Sequence, residues 1–256
     1  MNEAVIVDVV RTASGKGKPG GALSGTHPVD LLATVLEALV ARTGIDPALV
    51  DDVIGGCVGQ VGEQSTNITR QAVLAAGFPE HVPATTIDRQ CGSSQQAATF
   101  AAQAIISGFQ DVVIACGVES MSRVPMGTPT LGKDIAGSKL HARYPDGLVN
   151  QGISAELIAA KWGFSRAQLD DFSAQSHAWA SAAERDGLFA DEIVPIPVTD
   201  AAGGTRAHTV DETVRGATTA EGLGALHPSF YSETYAERFP QITWAITPGN
   251  SSPLTD

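Results

Sequence analysis

The first 120 residues alternate short apolar runs with helical patterns, and this alternation constrains the fold more than any other feature of the chain. "EAVIVDVVRT" is continuous and Val/Ile-rich, as in a β-strand buried on both faces. A Gly-rich loop, "GKGKPGGALSGTHP", leads to Pro28 at a first helical position, and Leu31, Leu32, Val35, Leu39 and Val40 follow at helical spacing. "VDDVIGGCVGQVG" reads as a second strand and loop, "TNITRQAVLAAG" as a helix closed by Gly77, and "ATTID" as a short third strand. A helix of small residues comes next, and "DVVIACGVES" makes a fourth strand. Strands alternating with helices predict an α/β layered domain with a mainly parallel sheet.

The pattern changes after residue 120. "RVPMGTPTLGKDIAGSKLHARYPDG" has no sustained period, and "ISAELIAAKWG" is a short helix. Ser165 and Gln168 form a capping-box pattern that opens a long helix, with Leu169, Phe172, Ser176, Trp179, Ala180 and Ala183 on its apolar face. "EIVPIPV" is extended, "DETVRGATTAEGLGALHPSF" reads as mostly helical, and "ITWAITPGNSSPLTD" as strand and turn. The expected organisation is an α/β domain over 1–120, an inserted helical and loop segment over 121–243, and a return strand and turn over 244–256.

The 256 residues carry a net charge of -12. That argues against a nucleic-acid or membrane-surface binder, whose footprints are basic. Three cysteines are no disulfide framework, and no apolar run is long enough for a membrane span. A reducing, cytoplasmic address is the expectation. No CxxC or HxxxH spacing supports zinc, so no metal site is expected.

Each cysteine is then a core residue or a reagent. Cys57 and Cys116 sit in strand-like runs and read as core. Cys91, in "TTIDRQCGSSQQAATFAAQAIISG", lies where a strand gives way to a helix. There the dipole and unpaired N–H groups favour an anion by roughly 0.3–1 kcal/mol. A small core hydrophobe would also fit such a junction, but the polar flank "GSSQQAA" is unlike a buried helix start.

These segments together resemble the thiolase family, the acetyl-CoA acetyltransferases and 3-ketoacyl-CoA thiolases. The likeness runs through "VIVDVVRTASGKGKPGGALSG", "TRQAVLAAGFP", the nucleophile motif "CGSSQQA", "GVESMS", "LDDFSAQSHAWASAAERDGLFADEIVPIPV", "DETVR" and "PGNSSPLTD". The resemblance implies a thiolase-like layered fold, an N-terminal half with an inserted helical and loop domain, and no C-terminal half. It implies that Cys91 carries an acyl thioester, that Arg215 lies near the adenine end of coenzyme A, and that Ser252 contacts the pantetheine arm. Asn150 and Gln151 stand where many biosynthetic members have His-Met, beside the acyl-end pocket, which implies degradation of medium or bulky acyl chains, fatty or steroid. Gly222 replaces a CoA-contacting Ser of some members.

Acyl-CoA and coenzyme A are the expected ligands, coenzyme A as co-substrate with no permanently bound cofactor. A homodimer or homotetramer is expected, with a separate C-terminal segment as a further partner. The motifs that supply the family's second cysteine, its activating His and an oxyanion-site Asn are missing here. The alternative is therefore a catalytically incomplete CoA-binding or dimerisation subunit.

Overall fold

The computed structural model describes residues 2–199 and 203–256. It divides into two compact units, the first built from Met1–Gly132, Phe189–Thr213 and Leu254–Asp256, the second from Lys133–Leu188 and Val214–Pro253. The first unit thus takes in residues 189–213, which the sequence pattern assigns to the inserted segment.

In the first unit the elements in chain order are β1 (Arg11–Thr12), α1 (Pro28–Thr43), β2 (Asp52–Gly56), α2 (Ile68–Ala75), β3 (Ala84–Ile87), α3 (Ser93–Ser107) and β4 (Val113–Gly117). Strands β2, β3 and β4 form a parallel sheet in the order β3-β2-β4. The expected α/β architecture is therefore present.

Helix α1 starts where the sequence says, with Pro28 in its first turn and the His27 ring accepting the Val29 N–H. Its face of Val29, Leu32 and Leu36 packs with Ile68, Ala72 and Val73 of α2 and with Val53 and Ile114 of the sheet to form the main core. Each fully buried Leu or Ile there contributes about 1.5–3 kcal/mol. Helix α3 buries only Ser93, Ala97 and Ala101, a narrow stripe of small residues.

The first run of the sequence departs from expectation. Of residues 2–12 only Arg11 and Thr12 enter a ladder, parallel to Ile193 and Val194. Val5, Ile6 and Val7 are 72, 90 and 83% exposed. A Val/Ile run is buried only where strands flank it and layers cover it, and no described strand pairs with residues 2–10. The later part of this unit adds β5 (Ile193–Val194) and an antiparallel pair, β6 (Ile196–Thr199) and β7 (Thr205–His208). Ile196 and Val198 form a second small cluster with Leu23 and Leu31.

The second unit holds α4 (Gly137–Arg143), α5 (Gln151–Trp162), α6 (Arg166–Arg185), α7 (Ala220–Gly224) and α8 (Glu233–Arg238). The Ser165/Gln168 capping box opens α6 as expected. Its apolar face, however, is largely uncovered, with Phe172 71% and Trp179 64% exposed. Two further expectations are corrected. The "DETVR" region is mostly loop, with only the five-residue α7 helical. Residues 242–248 form no strand: the Ala245 and Ile246 N–H groups go to the Glu156 carboxylate, and the Ile246 carbonyl accepts the Ser229 N–H from a loop.

Candidate active site

Strand β3 delivers the chain into a tight turn that carries Cys91. The Asp88 carboxylate accepts the Gln90 N–H at 2.6 Å. The Ser93 hydroxyl accepts the Arg89 N–H at 2.8 Å and donates to the Gln90 carbonyl at 2.6 Å. The N–H groups of Gly92 and Ser93 close back on the Arg89 and Gln90 carbonyls. Gln90 is forced to φ +48°, a left-handed conformation that costs a non-glycine residue about 1–2 kcal/mol.

Cys91 is the exposed cysteine of the three. It stands one residue ahead of Gly92, the N-cap of α3, not within the helix itself. No side chain caps that helix, so the first-turn N–H groups of Ser94 and Gln95 have no intrahelical acceptor. They give the turn the positive end that the sequence predicts, but from residues further along than Gly92. The side-chain bonds of the turn come from Asp88 and Ser93, and neither supplies a base to the sulfur.

The other two cysteines are unlike it. Cys57 is 2% exposed in the main core. Burial, with the nearby Glu119 charge, pushes its thiol up to about 12. Cys116 packs against the same core, and burial pushes it up to about 12 as well.

Polar side chains that the sequence reading did not single out fix the loops around the turn. The Glu119 carboxylate accepts N–H groups from Val58 at 2.8 Å and Gly59 at 3.1 Å. Gln64, wholly buried, donates to Glu119 at 2.8 Å and to the Gly59 carbonyl at 2.9 Å, and accepts the Ser120 N–H at 2.6 Å. The "GVESMS" turn is thus clamped to the loop after β2. The signal available in the sequence was an acid and an amide inside otherwise apolar, Gly-rich segments.

Asp211 and Glu212 act similarly on the N-terminal Gly-rich loop. Asp211 takes a forked pair of bonds from Arg11, at 2.8 and 3.0 Å, and the Ser14 N–H at 2.8 Å. Glu212 accepts the N–H groups of Lys16 at 2.8 Å and Ala22 at 2.9 Å. Burial alone would raise both carboxyls, but these hydrogen bonds outweigh it, and both sit below the ordinary carboxylate range.

The remaining candidates lie in the second unit. Asn150 is the N-cap of α5, its side chain accepting the Ile153 N–H at 2.9 Å, and Gln151 is the first residue of that helix. Arg215 is exposed, with its N–H on the His177 ring nitrogen at 3.2 Å. Ser252 is exposed just after a well-anchored loop. In that loop Asn250 accepts the Thr247 N–H at 2.8 Å and donates to Asp170 at 3.0 Å and to the Ala245 carbonyl at 2.9 Å. Gly222, in α7, donates its N–H to the hydroxyl of Thr219, the N-cap of that helix. Among the described residues no group of three or more His, Cys, Asp or Glu could hold a metal ion, and no helix is long and apolar enough to cross a membrane.

A parallel sheet whose strand leads through a tight turn, bearing an exposed cysteine, into an uncapped helix places the chain among layered α/β proteins. The profile of the thiolase N-terminal domain matches residues 4–256, so the chain belongs to the thiolase family. It is 50% identical over 205 residues to a steroid 3-ketoacyl-CoA thiolase, FadA6, of Mycobacterium tuberculosis, covering 77% of this chain and 50% of the relative. It is 40% identical over 262 residues to a 3-ketoacyl-CoA thiolase of Erwinia tasmaniensis, and 38% to one of Escherichia coli, covering all of this chain and 63% of each relative. The chain thus spans between half and two thirds of the length of the curated relatives it matches.

Proposed function

We propose that Cys91 is the acyl-accepting nucleophile of a thiolase cycle, acting in thiolytic cleavage of a 3-ketoacyl-CoA or in the reverse Claisen condensation. The observation that carries this is the exposure of Cys91 on a strained turn ahead of the uncapped α3, while both other thiols are raised to about 12. In the cleavage direction the Cys91 sulfur attacks the 3-keto carbon. The bond between C2 and C3 breaks, acetyl-CoA leaves with the thiol proton, and the shortened acyl group stays on sulfur as a thioester. The thiol of coenzyme A then takes that acyl group and returns a proton to Cys91. Coenzyme A is a co-substrate, with Arg215 at its adenine end and Ser252 on its pantetheine arm.

The substrate we favour is a medium or bulky 3-ketoacyl-CoA in a degradative direction. The support is Asn150-Gln151 at the start of α5, together with the 50% identity to a relative named for steroid 3-ketoacyl-CoA. The working enzyme is a cytoplasmic homodimer or homotetramer that also contains the remaining length of the relatives, as a further segment or a separate chain. That segment supplies the proton-transfer groups and covers apolar residues such as Val5, Ile6 and Val7.

The test is thiolysis of acetoacetyl-CoA and of a longer 3-ketoacyl-CoA by these 256 residues, with and without a separately made C-terminal segment. The expected result is background turnover alone, activity on adding the segment, and an acyl adduct mapped to Cys91 and lost in Cys91→Ala. An adduct on another residue would overturn the assignment. The second reading, a CoA-binding or dimerisation subunit, is favoured by the coverage of only 50–63% of the relatives. It predicts coenzyme A binding with no turnover under either condition.

A further inference from the structure

The start of α3 sits on the sheet at a place where two strands both carry glycine. Gly56 and Gly117 are cross-strand partners at the C-terminal ends of β2 and β4. A Cβ on Gly56 would lie against the Ser94 nitrogen, 2.5 Å from the Ser93 carbonyl carbon and 2.8 Å from the Ser93 Cβ. A Cβ on Gly117 would lie against the Ser94 hydroxyl and 3.1 Å from the Ser94 Cβ. The neighbouring Gly55 points to the other face, as alternation along a strand requires. A Cβ there would meet the side chain of Thr69 on α2, 2.8 Å from its Cγ2.

We propose that the Gly56–Gly117 pair is the positioning element of Cys91: a glycine seat that sets how deeply the first turn of α3 drops onto the sheet. This rests on Cys91 being the nucleophile. The turn that carries Cys91 is bonded to Ser93 through the two residues just before the cysteine, by the Arg89 N–H and the Gln90 carbonyl. Ser93 in turn rests on Gly56. Any side chain at Gly56 must therefore lift Ser93 and Ser94 by backbone movement, and the cysteine turn with them. At Gly117 the nearest obstacle is the Ser94 hydroxyl, which can rotate away and leave the Gly56 carbonyl oxygen at 3.0 Å and the Ser94 Cβ at 3.1 Å, contacts that are tight but tolerable. The seat thus predicts a ranking, with Gly56→Ala more harmful to the turn than Gly117→Ala. It also predicts that removing the Ser94 hydroxyl relieves the Gly117 variant.

The experiment compares Gly56→Ala, Gly117→Ala, Gly117→Ala with Ser94→Ala, and Gly55→Ala. Two readouts are taken on the 256-residue chain. One is the pH profile of iodoacetamide alkylation at Cys91, measured by peptide mapping. The other is hydrogen exchange at the first-turn amides of α3 and of α2.

The expected result is a fall of about fivefold in the Cys91 rate near neutral pH for Gly56→Ala, the scale of a lost helix-end interaction. Exchange at Ser94–Gln96 should quicken with it. A smaller fall in Gly117→Ala should be recovered by adding Ser94→Ala. Gly55→Ala should loosen α2 and leave the Cys91 profile unchanged.

The proposal is overturned if folded Gly56→Ala matches wild type in both readouts, or if Gly55→Ala slows Cys91 as much. Should Gly56→Ala fail to fold, the Gly117 series decides, and a loss there that Ser94→Ala does not recover overturns the proposal. Slow labelling of Cys91 in the unaltered chain would instead count against the nucleophile itself, while the exchange data would still test the seat.

Discussion

Glu156 offers the sharpest test of how the second unit holds the loop that precedes Ser252. This acid lies on α5, is 1% exposed, and accepts the N–H groups of Ala245 and Ile246, both at 2.8 Å. Those residues begin the loop that runs through Asn250 to Ser252. Replacing Glu156 with alanine strands two buried donors, each costing about 1–3 kcal/mol. Part of that is offset, because the cost of keeping a carboxylate out of water also disappears. The expected net loss is about 2–4 kcal/mol. Glutamine should recover less than half of it, since its single oxygen can serve one donor while its amide hydrogens face the other. Urea unfolding gives the overall loss. Hydrogen exchange at Ala245 and Ile246 is the decisive measurement, because local opening need not follow global unfolding. If Glu156→Ala melts within about 0.5 kcal/mol of the unaltered chain and these amides exchange no faster, the carboxylate is not what holds the loop.

Brief alkylation with iodoacetamide near neutral pH should label Cys91 and spare Cys57 and Cys116, which are raised to about 12. Equal labelling of all three in peptide maps would refute this. Asp211 and Glu212 lie below their ordinary values of 3.8 and 4.5 in the folded chain. Their stabilisation is therefore complete above those values and lost as pH falls through the lower folded ones. Thermal scans should be flat from pH 7 to about 5 and decline below that, and Glu212→Gln should make the decline shallower. A decline equally steep in the variant would count against the clamp on Lys16 and Ala22. Arg11→Ala should free residues 11–14 by removing both bonds to Asp211 and the 2.6 Å pair with Glu192. Faster proteolysis near the N-terminus is the readout, and unchanged cleavage would contradict it.

Local signals carried much of the architecture. The periodicity of Leu31, Leu32 and Leu39 marked α1, and the Ser165/Gln168 box marked the start of α6. The strand–Cys–helix junction was legible because its two halves are adjacent in sequence. What was not legible depended on partners far away. Residues 4–10 have strand composition, but composition does not say whether a neighbouring strand exists. Phe172 and Trp179 mark an apolar face of α6 without saying what covers it. The role of the Asp211-Glu212 pair has no local signal, because the backbone groups Glu212 binds lie 190 or more residues earlier. The role of Glu156 was illegible for the same reason, its donors being 89 and 90 residues further on.

These acids share one physical role, which bears on how such a chain can keep Gly-rich loops in place. Glu119, Glu156 and Glu212 each accept two backbone N–H groups from a loop outside the named strands, and Asp211 accepts one more beside Arg11. Irregular backbone removed from water needs acceptors that secondary structure does not provide. A carboxylate supplies two from one side chain, with bonds stronger than neutral ones. The net charge of -12 is thus not only a property of the surface. Part of it is scaffolding for the N-terminal Gly-rich loop, the loop after β2 and the loop before Ser252. Loss of the Asp211 and Glu212 charges should register first as a loosened N-terminal Gly-rich loop, while the helices and the sheet, whose backbone groups pair among themselves, persist to lower pH.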